Sequence, residues 1–366
     1  MRKILVLNFG STSTKIAVYT EEEQLLFREF HHASDEMGDS SSLKATAATR
    51  KGMILNYLKE QRVDLSEMDA VVGRGGLIRP VKGGTYRISE KMIEDLAGCV
   101  YGYHPCNLGG ILAAEIARDL GKPAFTVDPP VIDELSDVAR LSGHRDFPRR
   151  PLFHALNARA VAKRYASEHG SHYEALCLIV AHMGGGVTVS AHRNGRIVDV
   201  NNGLEGEGPF SAERPGALPV LPVVKAVYEG KFGASYESFR WFFAARCGLM
   251  SYLGTNDGRI VSLQVRKGDR EAETVYRGMA YQIAKEIGAM STVLCGRVDA
   301  VLLTGGFAHD KMFTGWIEKA VGFIAPVFIY SGETQCLRRP RGRSAFSGEK
   351  KARWSIHKYT KKQEVF

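Results

Sequence analysis

Residues 5–19 read LVLNFGSTSTKIAVY. An apolar run ends at Asn8, six glycine or polar positions follow Phe9, and a second apolar run opens at Ile16. Two such runs about a Gly/Ser/Thr turn predict a β-hairpin. Its tip places Gly10, Ser11, Thr12, Ser13 and Thr14 ahead of Lys15. Consecutive backbone N–H groups, hydroxyls and one ammonium suit an anion with several oxygens, such as a polyphosphate. Taken alone, a loop of this composition reads first as a solvated turn. A second copy changes that weighting.

The copy, CLIVAHMGGGVTVSAH, spans 177–192, about 170 residues on. An apolar strand again enters a turn, here Gly184, Gly185 and Gly186, and an alternating strand leaves it. Three glycines let a backbone approach phosphate oxygens because no Cβ intervenes, although they also permit a merely tight turn. Each hairpin is followed by a third strand candidate, Leu25–Phe30 and Ile197–Val200, the latter after an Asn194-Gly195 pair suited to a type I′ turn. The pattern predicts two similar halves, each offering one loop to a common ligand.

With 366 residues and 44% apolar composition, the chain buries a sizeable core and favours two domains. The net charge of +9 is unevenly spread: ten basic against two acidic residues lie in 336–366, leaving 39 against 38 before them. A nearly neutral body with a basic tail gives no support to a nucleic-acid-binding fold. No apolar run approaches the ~18 residues of a membrane helix. The opening apolar stretch is cut short at Asn8 and Gly10, unlike a signal peptide. The six cysteines form no C-x-x-C pair, so a zinc or redox motif is not indicated and a cytoplasmic location is expected.

Between the two loops, Lys44–Gln61 has helical spacing, with Met53, Ile54, Tyr57 and Leu58 on one face. The strand Asp69–Val72 runs directly into Gly73-Arg74-Gly75-Gly76, and ligands in α/β sheets often bind beyond a strand's carboxyl end. Helix Gly110–Leu120 precedes a strand, Pro123–Val127, that ends at Asp128-Pro129-Pro130. Asp128 there suits either ligand or metal work or a turn cap. Strand–helix–strand order predicts parallel pairing. The basic, proline-rich 145–151 segment places a domain boundary near 150, before a helix over Leu152–Tyr165 that carries His154. Residues 201–216 form the longest loop-like stretch and contain Arg214. Helices follow over Pro222–Tyr228, Tyr236–Ala245 and Glu271–Leu294, then the strand Asp299–Leu303 leading to Gly305-Gly306, a helix Met312–Ile324 and a strand Val327–Tyr330.

The pieces NFGSTSTK, VVGRGGLIRP, FHALN, AHMGGGVTV and LLTGGFAH, in this order, resemble the butyrate kinases of the acetate kinase family, within the actin-like, sugar-kinase-like phosphotransferases. The resemblance implies a two-domain α/β actin-like fold of ribonuclease H-like duplicated mixed sheets with flanking helices. It divides the chain into 1–150 and 151–335, with the nucleotide in the interdomain cleft and an atypical basic tail at 336–366. It implies transfer of the γ-phosphoryl of ATP to a short-chain fatty acid carboxylate, with Mg²⁺, small-molecule substrates only, no nucleic acid, no membrane, and self-association. Site by site, it places Asn8 near Mg²⁺ and Gly10, Ser11, Thr12, Ser13 and Lys15 at the terminal phosphates. Arg74 corresponds to the arginine that holds the substrate carboxylate and Arg214 to its partner; His182 corresponds to the histidine that stabilises the phosphoryl group in flight. Gly184, Gly185 and Gly186 form the second phosphate loop, Gly305 and Gly306 the adenosine turn, and Asp128 a carboxylate near metal or arginine.

The chemistry agrees with these residue types. A carboxylate nucleophile is already ionised, so no strong base is needed; the difficulty is bringing one anion to another, which arginines and a metal address. No G-x-x-x-x-G-K-[ST] motif is present, which excludes a P-loop kinase. One departure concerns the metal. Where the family resemblance predicts a G-E-N-E motif, the chain has Gly332-Glu333-Thr334-Gln335, which leaves Glu333 as the remaining acidic candidate. The Arg-rich composition beyond it is what a translated reading-frame change produces. Alternative readings are a kinase for acetate, propionate or branched-chain acids, an ATP-binding regulator of the same fold, and a kinase fold silenced by its altered end.

Overall fold

The computed structural model describes residues 2–10, 13–32, 43–233 and 235–331. These residues form two compact units that part between Pro129 and Pro130. In the first, β1 (Lys3–Phe9), β2 (Ser13–Thr20) and β3 (Gln24–His31) make an antiparallel meander. Helix α1 (Leu43–Glu60), β4 (Ala70–Gly73), β5 (Thr85–Arg87), α2 (Glu90–Ala97), α3 (Asn107–Asp119) and β6 (Ala124–Val127) complete it. The strand order is β3-β2-β1-β4-β6-β5, with β1, β4 and β6 parallel. Leu5, Leu7 and Phe9 of β1 point to one face and bury against Ile54 and Leu58 of α1 and Leu112 and Ile116 of α3. That face explains the spacing of apolar residues in both helices.

The second unit repeats the plan. Helix α4 (Ala155–Glu168) is followed by the meander β7 (Cys177–Met183), β8 (Val187–Arg193) and β9 (Arg196–Val200). Five helices come next: α5 (Val220–Tyr228), α6 (Tyr236–Ala245), α7 (Leu249–Leu253), α8 (Gly258–Arg266) and α9 (Arg270–Val293). The chain then forms β10 (Ala300–Gly305), α10 (Lys311–Val321) and β11 (Val327–Ser331), and the sheet order is β11-β10-β7-β8-β9. Meander plus two parallel strands is the arrangement of the first unit again.

Strand β7 is apolar on both faces because both are covered. Ile179 and Ala181 pack on Tyr276, Met279, Ile283 and Ile287 of α9, whereas Leu178 and Val180 pack on Ala158, Val161 and Tyr165 of α4. Each fully buried aliphatic side chain contributes about 1.5–3 kcal/mol. Truncating Ile283, which is 0% exposed, to alanine costs about 2–5 kcal/mol. The β8–β9 turn has positive φ at both Asn194 (52°) and Gly195 (72°), the type I′ geometry that the dipeptide predicts.

Two differences from the sequence reading have local causes. The units divide at Pro129–Pro130, not near 150. The 130–153 segment packs on the second sheet, with Ile132, Leu135 and Phe153 clustered on Ile197 and Val200. Helix α4 starts at Ala155 and not at Leu152, because the backbone before it is committed elsewhere. There the Phe153 N–H donates to Pro130 O at 3.0 Å, and Leu152 O accepts from the Gly203 N–H at 2.9 Å.

Candidate active site

In the first unit, Asn8, Arg74 and Asp128 stand just at or beyond the carboxyl ends of three adjacent parallel strands, β1, β4 and β6. The Arg74 N–H continues the ladder to Leu7 O at 2.8 Å, and its Nη1 donates to Asn8 Oδ1 at 3.3 Å. Glycine is required at this strand end by the approach of α3. A Cβ on Gly73 would lie 2.0 Å from Gly109 O, and one on Gly109 would lie 1.9 Å from Arg74 O. Two hydrogen bonds with Gly84 hold Asp128 in a left-handed conformation (φ 41°): its N–H donates to Gly84 O and its Oδ1 accepts from the Gly84 N–H, each at 2.9 Å. These contacts give Asp128 a turn-fixing role.

The first loop is closed by the Gly10 N–H donating to Ser13 O at 2.8 Å. Its Gly10 carbonyl accepts from Arg50 Nη1 at 3.0 Å, and the Arg50 guanidinium also lies over the Phe9 ring at 5.8 Å. Arg50 is 1% exposed, and burial pulls its pKa below the usual arginine value. Lys15 projects from β2 to an ion pair with Glu29 of β3, at 3.5 Å. Ser11, Thr12 and Glu333 lie outside the described residues.

The second unit gathers its residues at the end of β7. His182 is 2% exposed; its Nδ1 lies 2.9 Å from Asn157 Oδ1, and its ring stacks on His154 with centroids 3.8 Å apart. His154 Nδ1 in turn lies 3.1 Å from Thr188 Oγ1 on β8. The glycine loop begins at once: the Gly184 N–H donates to Gly186 O at 3.0 Å, and a Cβ on Gly184 would meet His182 Nε2 at 3.3 Å.

Arg214 reaches the same loop. A Cβ on Gly186 would sit 2.0 Å from its Nη1, which donates to Gly203 O at 2.9 Å. Ser211 couples the two pieces: its Oγ donates to Gly185 O at 2.6 Å and accepts from the Arg214 N–H at 3.1 Å. On the neighbouring parallel strand β10, Gly305 has φ 94° and would place a Cβ 2.4 Å from Met183 O. Beside Gly306 the space is open. His182, the three glycines, Arg214, Gly305 and Gly306 therefore belong to one locality of the second unit.

An ion cluster pins the loop that carries Arg214. Arg149 donates to Asp199 at 2.9 Å, Val200 O at 2.9 Å and Glu207 at 3.2 Å, and Glu207 also accepts from the Asn202 N–H at 3.0 Å. Burial pushes the nearby Glu286 carboxyl up, with Arg149 opposing and Asp199 and Glu207 adding to the rise. Among the described residues, no group of three or more His, Cys, Asp or Glu side chains could hold a metal ion, and no helix is long and apolar enough to cross a membrane.

Residues 144–320 match the acetokinase family. Butyrate kinase 1 of Clostridium acetobutylicum is 45% identical over 354 residues, covering 96% of this chain and 99% of that protein. The chain belongs to the acetokinase family. Butyrate kinase 2 of the same organism is 46% identical over 352 residues, covering 96% of this chain and 98% of that protein. Among solved structures, the Porphyromonas gingivalis acetate kinase aligns with a TM-score of 0.67 at 21% identity, covering 88% of each chain. A propionate kinase from Francisella tularensis aligns with a TM-score of 0.69 at 20% identity, covering 88% of this chain and 89% of that one. At such identities the likeness is one of fold, the two α/β units with mixed sheets and flanking helices.

For this member of the acetokinase family, the sequence reading missed three groups. Arg50 occupies the apolar stripe of α1, four residues before Ile54, and a cation on a buried face was its available signal. Asn157, on the first turn of α4, follows His154 at the helix N-cap by three positions, a spacing that was the available signal. Arg149 gave no signal: its partners Asp199 and Glu207 lie 50 and 58 residues away.

Proposed function

We propose that this chain catalyses reversible transfer of the γ-phosphoryl group of ATP to butyrate, forming butyryl phosphate and ADP. The observation that carries the reading is a guanidinium beside each glycine turn: Arg74 bonded to Asn8 on the strand that enters the first, Arg214 seated against Gly186 in the second. Near-full-length identity to butyrate kinases supports butyrate as the acid.

In this reading Arg74 binds the acid's carboxylate in the bidentate manner that guanidinium geometry favours. Arg214 and His182 neutralise the charge spread over the transferring phosphoryl oxygens, and Gly184, Gly185 and Gly186 offer backbone N–H groups to phosphate oxygens. Gly305 and Gly306 bound the adenosine end, where the open side of Gly306 leaves room for a flat ring. Asn8 offers a hard amide oxygen, and the described residues hold no acidic metal cage. That donor set suits a Mg²⁺ ion that takes most of its oxygens from phosphates and water. When bound, such an ion would supply charge neutralisation to the phosphate oxygens.

Self-association is part of the proposal. Helix α5 buries none of its residues, and Val220, Leu221 and Tyr228 are 71%, 80% and 89% exposed. A cytoplasmic setting accords with the described cysteines, none of which is joined in a disulfide. A panel of short straight and branched acids, assayed for acyl phosphate with ATP and Mg²⁺, tests the function. Butyrate is expected to give the highest kcat/KM. A preference for acetate or branched acids reassigns the substrate, and ATP hydrolysis indifferent to any acid removes the kinase reading.

A further inference from the structure

Arg149 gathers three stretches of the second unit on one guanidinium. Its Nη1 donates to Ala139 O at 2.8 Å and to Asp199 Oδ1 at 2.9 Å, and its Nη2 donates to Val200 O at 2.9 Å. Nη2 and Nε also reach Glu207 Oε2, at 3.2 and 3.3 Å. The same Glu207 oxygen accepts from the Asn202 N–H at 3.0 Å, and Asn202 Nδ2 donates to Arg150 O at 3.0 Å. Gly203 follows. Its N–H donates to Leu152 O at 2.9 Å, and its carbonyl accepts from Arg214 Nη1 at 2.9 Å. A Cβ on Gly203 would lie 2.5 Å from Thr188 Cγ2, so this backbone sits close on β8. The path from Arg149 to Arg214 is therefore continuous: guanidinium, carboxylate, Asn202 N–H, Gly203 carbonyl, guanidinium.

A planar fork with five N–H donors can hold acceptors from several segments at once, which a lysine ammonium cannot do in the same geometry. Asp199 is buried and the Arg149 side chain is 23% exposed. Taking charges out of water is costly even when they pair, so stability alone is a poor reason for such a cluster. What it does supply is a fixed place for the Gly203 carbonyl. We propose that Arg149 and Glu207 are positioning residues for phosphoryl transfer: they hold the backbone at Asn202 and Gly203 so that the Gly203 carbonyl keeps Arg214 Nη1 against the glycine loop. Both act through Arg214 and not on the substrate itself. The proposal rests on the carboxylate kinase reading, in which Arg214 meets the transferring phosphoryl group. It also gives the 130–153 segment, which adds no strand to either sheet, a part in the site.

Arg149→Met and Glu207→Ala, made in the full chain, test this. In steady-state assays with ATP and Mg²⁺, each should lower kcat by about tenfold or more with KM for butyrate within about twofold, because Arg74 is untouched. Added to Arg214→Ala, Glu207→Ala should cost nothing further. Leu135→Ala loosens the apolar cluster of the same segment without touching the relay, and should lower the melting temperature while kcat stays within about twofold. ¹⁵N NMR of arginine-labelled protein without substrates reads the placement itself. The buried Arg214 Nε–H, identified by loss of its signal in Arg214→Lys, should exchange with water about tenfold faster or more in Glu207→Ala. Unchanged kcat or unchanged exchange in the folded variants, losses that multiply with Arg214→Ala, or an equal fall of kcat in Leu135→Ala overturns the assignment. Should Arg149→Met not fold, Glu207→Ala decides alone. A wild-type chain that makes no acyl phosphate defeats the kinase reading instead, and the Arg214 exchange rate still decides the positioning.

Discussion

Gly186→Ala separates the placement of Arg214 from the stability of the fold. The new Cβ would fall 2.0 Å from Arg214 Nη1 and 3.2 Å from Gly203 O. Real Cβ contacts do not close below 3.0 Å, so the guanidinium must retreat by at least about 1 Å. That retreat stretches or breaks its 2.9 Å bond to Gly203 O. Misplacing a transition-state group by ~1 Å costs about 10²-fold, or roughly 2.7 kcal/mol of barrier. The clashing atom is the tip of a flexible side chain, so the melting temperature should move by no more than ~2 °C. The assay is kcat/KM for butyryl phosphate formation alongside thermal melting, in wild type, Gly186→Ala, Arg214→Ala and the double variant. If the alanine acts through Arg214, the double variant is no slower than Arg214→Ala alone. Full activity in Gly186→Ala, or losses that simply multiply, would refute the reasoning.

Gly109→Ala is expected to behave differently, since its Cβ would meet the Arg74 carbonyl at 1.9 Å and a backbone atom cannot swing aside. Urea unfolding should show a loss of about 1–3 kcal/mol or more, together with a raised KM for butyrate as Arg74 shifts. Arg50→Met keeps the length of the side chain while removing the donor to Gly10 O. A raised KM for ATP with little change in KM for butyrate is expected, and an unchanged KM for ATP would show that Arg50 serves the core alone. His192, between Tyr173 Oη and Ser190 Oγ at 2.8 Å each, is pulled down to about 3, first by burial and then by Arg159. Between pH 6.5 and 3 the unfolded chain therefore binds more protons than the folded one, and stability falls as the pH falls. The loss from this group reaches about 3 kcal/mol by pH 4, and urea midpoints of His192→Gln should depend less on pH across that window. Equal slopes for variant and wild type would contradict the assignment.

The fold was legible wherever the chain carries strong local signals. Both hairpins, their third strands and the long helix α9 follow from runs and periodicity that neighbours reinforce. Short elements were not legible: β5 has three residues and α7 five, too few for any period to register. Residues 130–150 were read with the first unit because the contacts of Ile132 and Leu135 to Ile197 and Val200 are tertiary and leave no mark on local sequence. Among the glycines read from the sequence, Gly186 and Gly305 have a steric cause, since a Cβ would lie 2.0 Å from Arg214 Nη1 at the first and 2.4 Å from Met183 O at the second. The ion pair of Lys15 with Glu29 left no mark on local sequence, because the register that sets the two residues opposite each other comes from β3.

The central claim is that the two glycine turns, with an arginine beside each, serve transfer of a phosphoryl group to a carboxylate. ³¹P NMR of the purified chain with ATP, Mg²⁺ and butyrate tests it most directly. An acyl phosphate signal that grows as the ATP γ-signal declines, and no ATP loss when butyrate is omitted, is the predicted result. ATP consumed at the same rate with and without butyrate, with inorganic phosphate as the sole new signal, would contradict it.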